Sequence, residues 1–223
     1  DLHRRRHSFP TRRSSDLPRG WGQYFKWPTA QEQQNWIQAM VQTGAKAQRV
    51  YVLSVQQEFD KACGRETHIL APETADGMPR LNEKAMRVYD NMIAEADKRD
   101  IYMLLSPIVT YNSQWPEMSD TTNTGLAKCY PENTLIHDEE AIRAQENYMK
   151  QLLNHRNPYT GRCLKDEPNI LFVELINEPT QFPEDIPGMV RYINRMCKAI
   201  RSIGCKKLTF YNVSQDFRVA PAI

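Results

Sequence analysis

Four short apolar runs, separated by amphipathic helical patterns, are the feature that most constrains the fold of this chain. The runs are rich in β-branched and aromatic residues, have the length of strands, and span residues 49–55, 101–109, 169–177 and 208–213. Their nearly continuous apolar character is typical of strands buried on both faces of a parallel sheet. No hairpin motif joins any two of them. We therefore predict an α/β fold in which helices cover a parallel sheet.

Four helices are predicted from apolar residues that recur at helical spacing. Thr29 and Glu32 have the spacing of a capping box before the first helix, Asn82 can cap the second, and Asp138 opens the third. The fourth helix ends at Gly204. This alternation of helix and strand fits both a closed (β/α)8 barrel and an open doubly wound sheet. The chain has neither a G-x-G-x-x-G motif nor a P-loop, so phosphate-binding versions of the open sheet have no support.

The N-terminal segment differs in composition from the rest of the chain. Residues 1–19 contain six arginines and two aspartates, a net charge of +4 that exceeds the +2 of the whole chain. The remainder is therefore slightly acidic, which argues against a nucleic-acid-binding surface on the folded part. Residues 8–17 resemble a translated sequencing adapter, so we interpret residues 1–17 as a non-native tail. A basic arm for nucleic acid is the alternative interpretation.

The cysteines, the histidines and the hydropathy of the sequence argue against a metal site and against a membrane-spanning segment. The five cysteines lack zinc-site spacing; they are expected to pack as small core residues, and one or two disulfides stay possible if the protein is exported. His68, His137 and His155 fall in predicted loops or helix ends and are expected to be solvated. No apolar run approaches the roughly 18 residues needed to span a bilayer. We expect no metal, no cofactor and no membrane partner.

A carboxylate follows the third predicted strand at once, in the tripeptide Asn177-Glu178-Pro179. Proline cannot continue the hydrogen bonding of a strand, so Pro179 should end it just beyond Glu178. Active sites of (β/α)8 barrels lie at such strand ends, which makes Glu178 a candidate for proton transfer. Glu174 lies about 13 Å earlier along the strand, too far to form a catalytic pair with Glu178. We expect Glu174 to be an interior glutamate paired with Arg or Lys.

The segment 172–179, FVELINEP, together with 157–161 and 166–168, resembles the fourth-strand region of clan A glycoside hydrolases. Family 5, with its cellulases and β-mannanases, is the nearest match, and the resemblance covers roughly residues 21–215. It implies that residues 18–223 form a partial (β/α)8 (TIM) barrel with about strands 2 to 5 present. It also implies a retaining O-glycosyl hydrolase with Glu178 as general acid/base. The family nucleophile, a Glu that ends strand 7, is missing from this sequence, so the chain alone should be inactive.

The resemblance also implies roles for residues around Glu178. Arg49 matches a family Arg that orients and charges the nucleophile; a surface Arg at a strand start is the alternative. Asn177 matches a family Asn that forms a hydrogen bond with the sugar 2-hydroxyl. A turn or capping Asn is the alternative. Trp115, in the long loop after the second predicted strand, could stack on a sugar or simply pack within the loop. Tyr111 and Asn112, nearer the strand end, are weaker candidates.

Residues 108–112 read IVTYN, whereas many family 5 cellulases carry a His at this strand end. The difference favours mannan over cellulose, and an endo-β-1,4-mannanase or glucanase is the function expected. A catalytically inactive carbohydrate-binding barrel, or an unrelated α/β protein in which Asn-Glu-Pro is coincidental, are the alternatives. The expected partner is an oligo- or polysaccharide. The full-length protein is expected to be monomeric and secreted or periplasmic, with its signal peptide in the missing N-terminus.

Overall fold

The computed structural model describes residues 29–51, 70–71, 80–81, 83–108, 134–177, 179 and 185–212, with only the backbone described at 50–51, 70–71 and 84–85. Helices and strands alternate along most of this part of the chain. A 3-10 turn at Leu164–Asp166 precedes the third long strand. The elements in chain order are α1 Ala30–Gln42, β1 Ala47–Tyr51, β2 Leu70–Ala71, β3 Arg80–Leu81, α2 Glu83–Asp97, β4 Tyr102–Ser106, α3 Glu139–Asn154, β5 Ile170–Glu174, α4 Ile186–Ser202 and β6 Leu208–Phe210.

The main sheet contains four strands in the order β1-β4-β5-β6, and every neighbouring pair is parallel. Arg49 on β1 lies beside Leu104 on β4, which in turn lies beside Phe172 on β5. Phe172 then lies beside Leu208 on β6. Parallel neighbours require a crossover connection, and helices lie between successive strands of this sheet in the sequence. The predicted α/β class with a parallel sheet is confirmed.

A second, two-stranded sheet was not predicted. β2 and β3 pair antiparallel, with Leu70 opposite Leu81 and Ala71 opposite Arg80. Each strand has only two residues, which is too short to produce the alternation by which a strand is recognised in a sequence. Neither strand belongs to the four apolar runs, so the absence of a hairpin motif between those runs is not affected.

The ends of the helices follow the local sequence. The Thr29 hydroxyl accepts a hydrogen bond from the Glu32 amide at 3.2 Å, and the Glu32 carboxylate accepts from the Thr29 amide at 2.8 Å. Asp138 accepts from the amide of Ala141 at 2.8 Å. Each cap satisfies amide groups that the first helical turn leaves unpaired. The predicted capping box and the Asp138 cap are confirmed, whereas Asn82 lies outside the described residues.

The two faces of the main sheet have different environments. Met103, Leu105 and Val173 are fully buried and belong to the core that the helices cover. Side chains alternate along a strand, so the neighbouring positions lie on the opposite face. On that face Tyr102 is 43% exposed and Leu208 is 60% exposed. The site described below lies on the same face, at the carboxyl ends of the strands.

The burial of His155 contradicts the sequence-based expectation that this side chain is solvated. Its side chain is only 7% exposed, and Nε2 lies 3.0 Å from both carboxylate oxygens of Asp90, which is fully buried on α2. The predicted solvated histidine is therefore a buried partner of an acid 65 residues away. Local sequence does not reveal such a partner. His137, at 37% exposure, is partly solvated, and His68 lies outside the described residues.

Cys205 is buried, and Cys163 and Cys197 are partly buried free thiols. Cys63 and Cys129 lie outside the described residues, so the expectation for them stays a prediction. Within the described ranges, no helix combines the length and the apolar character that a membrane crossing requires.

Candidate active site

Polar side chains that lie on or shortly after all four strands of the main sheet meet near the carboxyl ends of these strands. Arg49 comes from β1, Ser106 ends β4 and Glu174 ends β5. Asn177 follows β5 after two residues, and Asn212 follows β6 after one. Parallel strands place their carboxyl ends at one edge, so residues far apart in sequence become neighbours there.

Arg49 is the centre of this group. Its Nε donates to Ser106 Oγ at 2.7 Å, and its Nη2 lies 2.5 and 2.6 Å from the two carboxylate oxygens of Glu174. The Glu174 side chain is fully buried and that of Arg49 is 30% exposed. A buried carboxylate requires a hydrogen-bonded counter-charge, which Arg49 supplies. The expectation that Glu174 pairs with Arg or Lys is confirmed, and Arg49 is part of this interior pair rather than a solvated surface residue.

The side-chain oxygen of Asn177 accepts two hydrogen bonds. One comes from Nη2 of Arg49, and the other comes from Nδ2 of Asn212 at 3.1 Å. The backbone amide of Asn177 also donates to the carbonyl oxygen of Ile108 at 2.8 Å. The Arg49 guanidinium can only donate, so its contact assigns the facing atom of Asn177 as oxygen and defines the orientation of this amide. Nδ2 is then the atom with which the Asn177 side chain donates.

A buried hydroxyl supports the segment between β5 and Asn177. Tyr192 Oη lies 3.1 Å from the carbonyl oxygen of Leu175 and 2.9 Å from Oε1 of Gln145. Nε2 of Gln145 donates to the carbonyl oxygens of Leu135 and Ala141. Burial raises the pKa of Tyr192 well above its usual value, with further increases from Tyr211 and Glu146, so the hydroxyl stays protonated. Helices α3 and α4 thereby fix the chain just before the candidate site.

Sequence reasoning named only some of these residues. Arg49 and Asn177 were predicted, and the structure brings them into contact. Ser106, Asn212 and Tyr192 were missed. Ser106 and Asn212 each end or follow a strand, which is a usable indication in a fold of this kind, whereas Tyr192 resembles an ordinary buried helix residue.

Several predicted residues cannot be placed relative to this cluster. Glu178, Tyr111, Asn112 and Trp115 lie outside the described residues. Pro179, the residue after Glu178, is buried. The roles of these residues stay predictions.

Among the residues that the structure describes, no three or more His, Cys, Asp or Glu side chains are grouped so that they could hold a metal ion. The cluster itself contains a guanidinium, two amides, a hydroxyl and one carboxylate that is already paired. Such groups suit the binding and orientation of neutral, hydroxyl-rich ligands and of a neighbouring carboxylate.

No protein-family model matches the chain. A curated relative, mannan endo-1,4-beta-mannosidase 5 of Arabidopsis thaliana, is 30% identical over 134 residues, which are 58% of this chain and 31% of the relative. The chain therefore spans about a third of the length of the curated relatives that it matches.

Solved structures of similar fold include the endo-beta-1,4-mannanase from Thermotoga petrophila, with a TM-score of 0.65 and 19% identity, covering 84% of this chain and 40% of that one. A glycoside hydrolase family 5 mannosidase from Rhizomucor miehei has a TM-score of 0.58 and 18% identity, covering 83% and 47%. The predicted fold, a partial (β/α)8 barrel, is confirmed, and so is the resemblance to family 5.

Proposed function

We propose that this chain, a relative of family 5 mannanases, is part of a retaining glycoside hydrolase that cleaves β-1,4-linked mannan. The observation that carries the proposal is the contact of Arg49 with Glu174 and Asn177, at the strand ends of a mannanase-like half-barrel and directly before Glu178 in the chain. Glu178 is the proposed general acid/base. The proposed nucleophile is a second carboxylate, contributed by the part of the barrel that this chain does not include.

In a retaining reaction, one carboxyl protonates the glycosidic oxygen while the other, about 5 Å away, attacks the anomeric carbon. The nucleophile must be ionised and held in place. Arg49 is suited to this task because Ser106 and Glu174 fix its guanidinium from two sides. Its partial exposure leaves a charged surface that a further carboxylate can approach.

Asn177 is the proposed contact to the sugar 2-hydroxyl. Its oxygen accepts from Arg49 and Asn212, so Nδ2 is the atom with which it donates to the substrate. A hydrogen bond at this hydroxyl strengthens as the transition state forms. Trp115, Tyr111 and Asn112 are proposed to contact the polysaccharide from the loop after β4.

The names of the relatives and the absence of His from residues 108–112 both favour mannan over cellulose. We further propose that residues 18–223 belong to the catalytic barrel and that residues 1–17 are a non-native tail. The complete enzyme is proposed to be a secreted or periplasmic monomer without a cofactor. We also propose that this chain by itself does not hydrolyse mannan, because the proposed nucleophile belongs to another part of the barrel.

The test is to obtain the complete coding sequence, express the whole protein and assay β-1,4-mannan and carboxymethylcellulose for release of reducing ends. We expect hydrolysis of mannan to exceed that of cellulose, and NMR at early times should detect the β-anomer of the new reducing end. An enzyme that first releases the α-anomer would disprove retention. Binding of mannan without hydrolysis would instead identify an inactive carbohydrate-binding barrel.

A further inference from the structure

Asn177 and Arg49, the two residues with proposed roles at the substrate, are each held by a neighbouring side chain. The oxygen of the Asn177 side chain receives hydrogen bonds from Arg49 on one strand and from Asn212 after β6. Arg49 is in turn held by the fully buried Glu174. From this arrangement we infer that Asn212 and Glu174 are positioning residues, which fix the amide of Asn177 so that Nδ2 donates to the sugar 2-hydroxyl. This inference rests on the proposed function.

An Asn side chain can turn over and exchange its oxygen and nitrogen with almost no change in shape, so only its partners decide which atom meets the substrate. Both partners here are donors, Nη2 of Arg49 and Nδ2 of Asn212. Turning the Asn177 amide over would set its nitrogen against the Arg49 guanidinium, which can only donate, and lose that hydrogen bond. The hydrogen bond with Asn212 would survive only if the Asn212 amide turned over as well. Removing one partner weakens this preference.

Glu174 acts on the Asn177 amide indirectly, through Arg49. Its carboxylate receives Nη2 of Arg49 at both oxygens, while Ser106 receives Nε at 2.7 Å. The same Nη2 is bonded to Asn177. Loss of the Glu174 charge would let the guanidinium shift, and the Asn177 contact would shift with it. The carboxylate therefore controls the amide through Arg49.

The chain offers a matched control for Glu174. Glu167 is also fully buried and ion-paired to an arginine, Arg162, at 2.8 Å, but it lies before β5, at the opposite end of the strand. Glu167→Gln removes a buried charge of the same kind. It should lower the thermal midpoint and leave kcat and KM unchanged, because it has no contact with Asn177 or Arg49.

The experiment uses the complete enzyme, an aryl β-mannobioside, and the analogue that lacks the 2-hydroxyl on the reacting sugar. With the first substrate, Asn212→Ala and Glu174→Gln should each lower kcat/KM about 10-fold, the rate equivalent of about one hydrogen bond, mainly through kcat. With the 2-deoxy analogue, the Asn212→Ala loss should shrink to within about 2-fold, because the contact that the amide serves is absent.

Asn212→Asp provides a second variant, in which an acceptor replaces the donor amide. A carboxylate at this position accepts rather than donates, so it favours the wrong orientation of the Asn177 amide, and its loss of kcat/KM should exceed that of Asn212→Ala. A merely structural role predicts the reverse order, since Asp preserves the size and polarity of Asn. If Glu174→Gln does not fold, the two Asn212 variants decide the question.

The inference is overturned if Asn212→Ala loses equally on both substrates, or if Asn212→Ala and Glu174→Gln behave like Glu167→Gln. A wild-type enzyme that cleaves mannan while giving either of these results would refute the positioning roles alone. A wild-type enzyme that does not cleave mannan would refute the proposed function, and the inference with it.

Discussion

Arg49 on β1 and Glu174 on β5 form an ion pair across the intervening strand β4, with 2.5 Å between Nη2 and Oε1. Strands that are two places apart in a sheet lie about 9 to 10 Å apart, so long side chains must reach over the strand between them. Ser106 ends that middle strand, and its small side chain accepts from the guanidinium instead of blocking it. Three strands are thereby joined at the edge where the proposed chemistry occurs.

The ion pair of Arg49 and Glu174 should affect the stability of the protein most when only one of the two partners is removed. Arg49→Met leaves the Glu174 carboxylate buried without its charge partner and should destabilise the complete protein by about 3 kcal/mol. The double variant Arg49→Met/Glu174→Gln removes the uncompensated charge, so it should recover part of that loss. Urea unfolding of the single and double variants measures both values. Equal stability of the single and double variants would contradict this account of the pair.

The buried pair of Asp90 and His155 leads to a pH prediction. Burial raises the pKa of Asp90 above its ordinary value of 3.8, and His155 and Arg87 offset this only in part. The neutral carboxyl is favoured in the folded state, so the stability that Asp90 contributes is present below pH 3.8 and is lost as the pH rises through the raised pKa.

Asp90→Asn removes this titration without a change in side-chain size. The thermal midpoint of Asp90→Asn relative to wild type should therefore rise as the pH increases from about 3 to about 7. Asp100→Asn, at an exposed position after α2, serves as the control and should follow the wild type throughout. A relative midpoint that falls with increasing pH would show that the His155 contact outweighs the burial of the carboxylate.

Gly188 and His137 give a prediction about packing. A Cβ at Gly188 on α4 would lie 2.5 Å from Nδ1 of the His137 ring, so the ring must move if Gly188 becomes Ala. Ala is more favourable than Gly in a helix by up to about 1 kcal/mol. Gly188→Ala should therefore stabilise a His137→Ala background more than it stabilises the wild type. Urea unfolding of the four proteins measures this coupling, and strictly additive effects would contradict the predicted contact.

The sequence was sufficient for the elements that have local patterns. Thr29 and Asp138 begin helices as predicted because caps depend on residues within one turn, and the parallel sheet followed from four apolar runs between helices. The pairing of Glu174 with Arg or Lys was also predicted, because a carboxylate inside a barrel requires a counter-charge, and Arg49 is the partner.

Residues whose roles depend on distant partners were not predicted. The contact of Asn212 with Asn177, and the burial of His155 against Asp90, join positions 35 and 65 residues apart. No periodicity encodes such contacts, since they arise only when strands and helices have packed. The resemblance to family 5 identified Arg49 and Asn177 because it carries information about a folded site rather than about local structure.

Glu178 as general acid/base is the central claim, and it predicts a dependence on the leaving group. The glycosidic oxygen of a departing sugar must be protonated, because an alkoxide is a poor leaving group, whereas dinitrophenolate leaves without a proton. The decisive measurement compares wild type and Glu178→Gln in the complete enzyme on mannan and on a dinitrophenyl β-mannobioside, with formation of the glycosyl-enzyme followed by the dinitrophenol burst. The account predicts a loss of about 10²- to 10⁴-fold on mannan but a burst rate near that of wild type. Equal losses on both substrates, or full activity of Glu178→Gln on mannan, would contradict it.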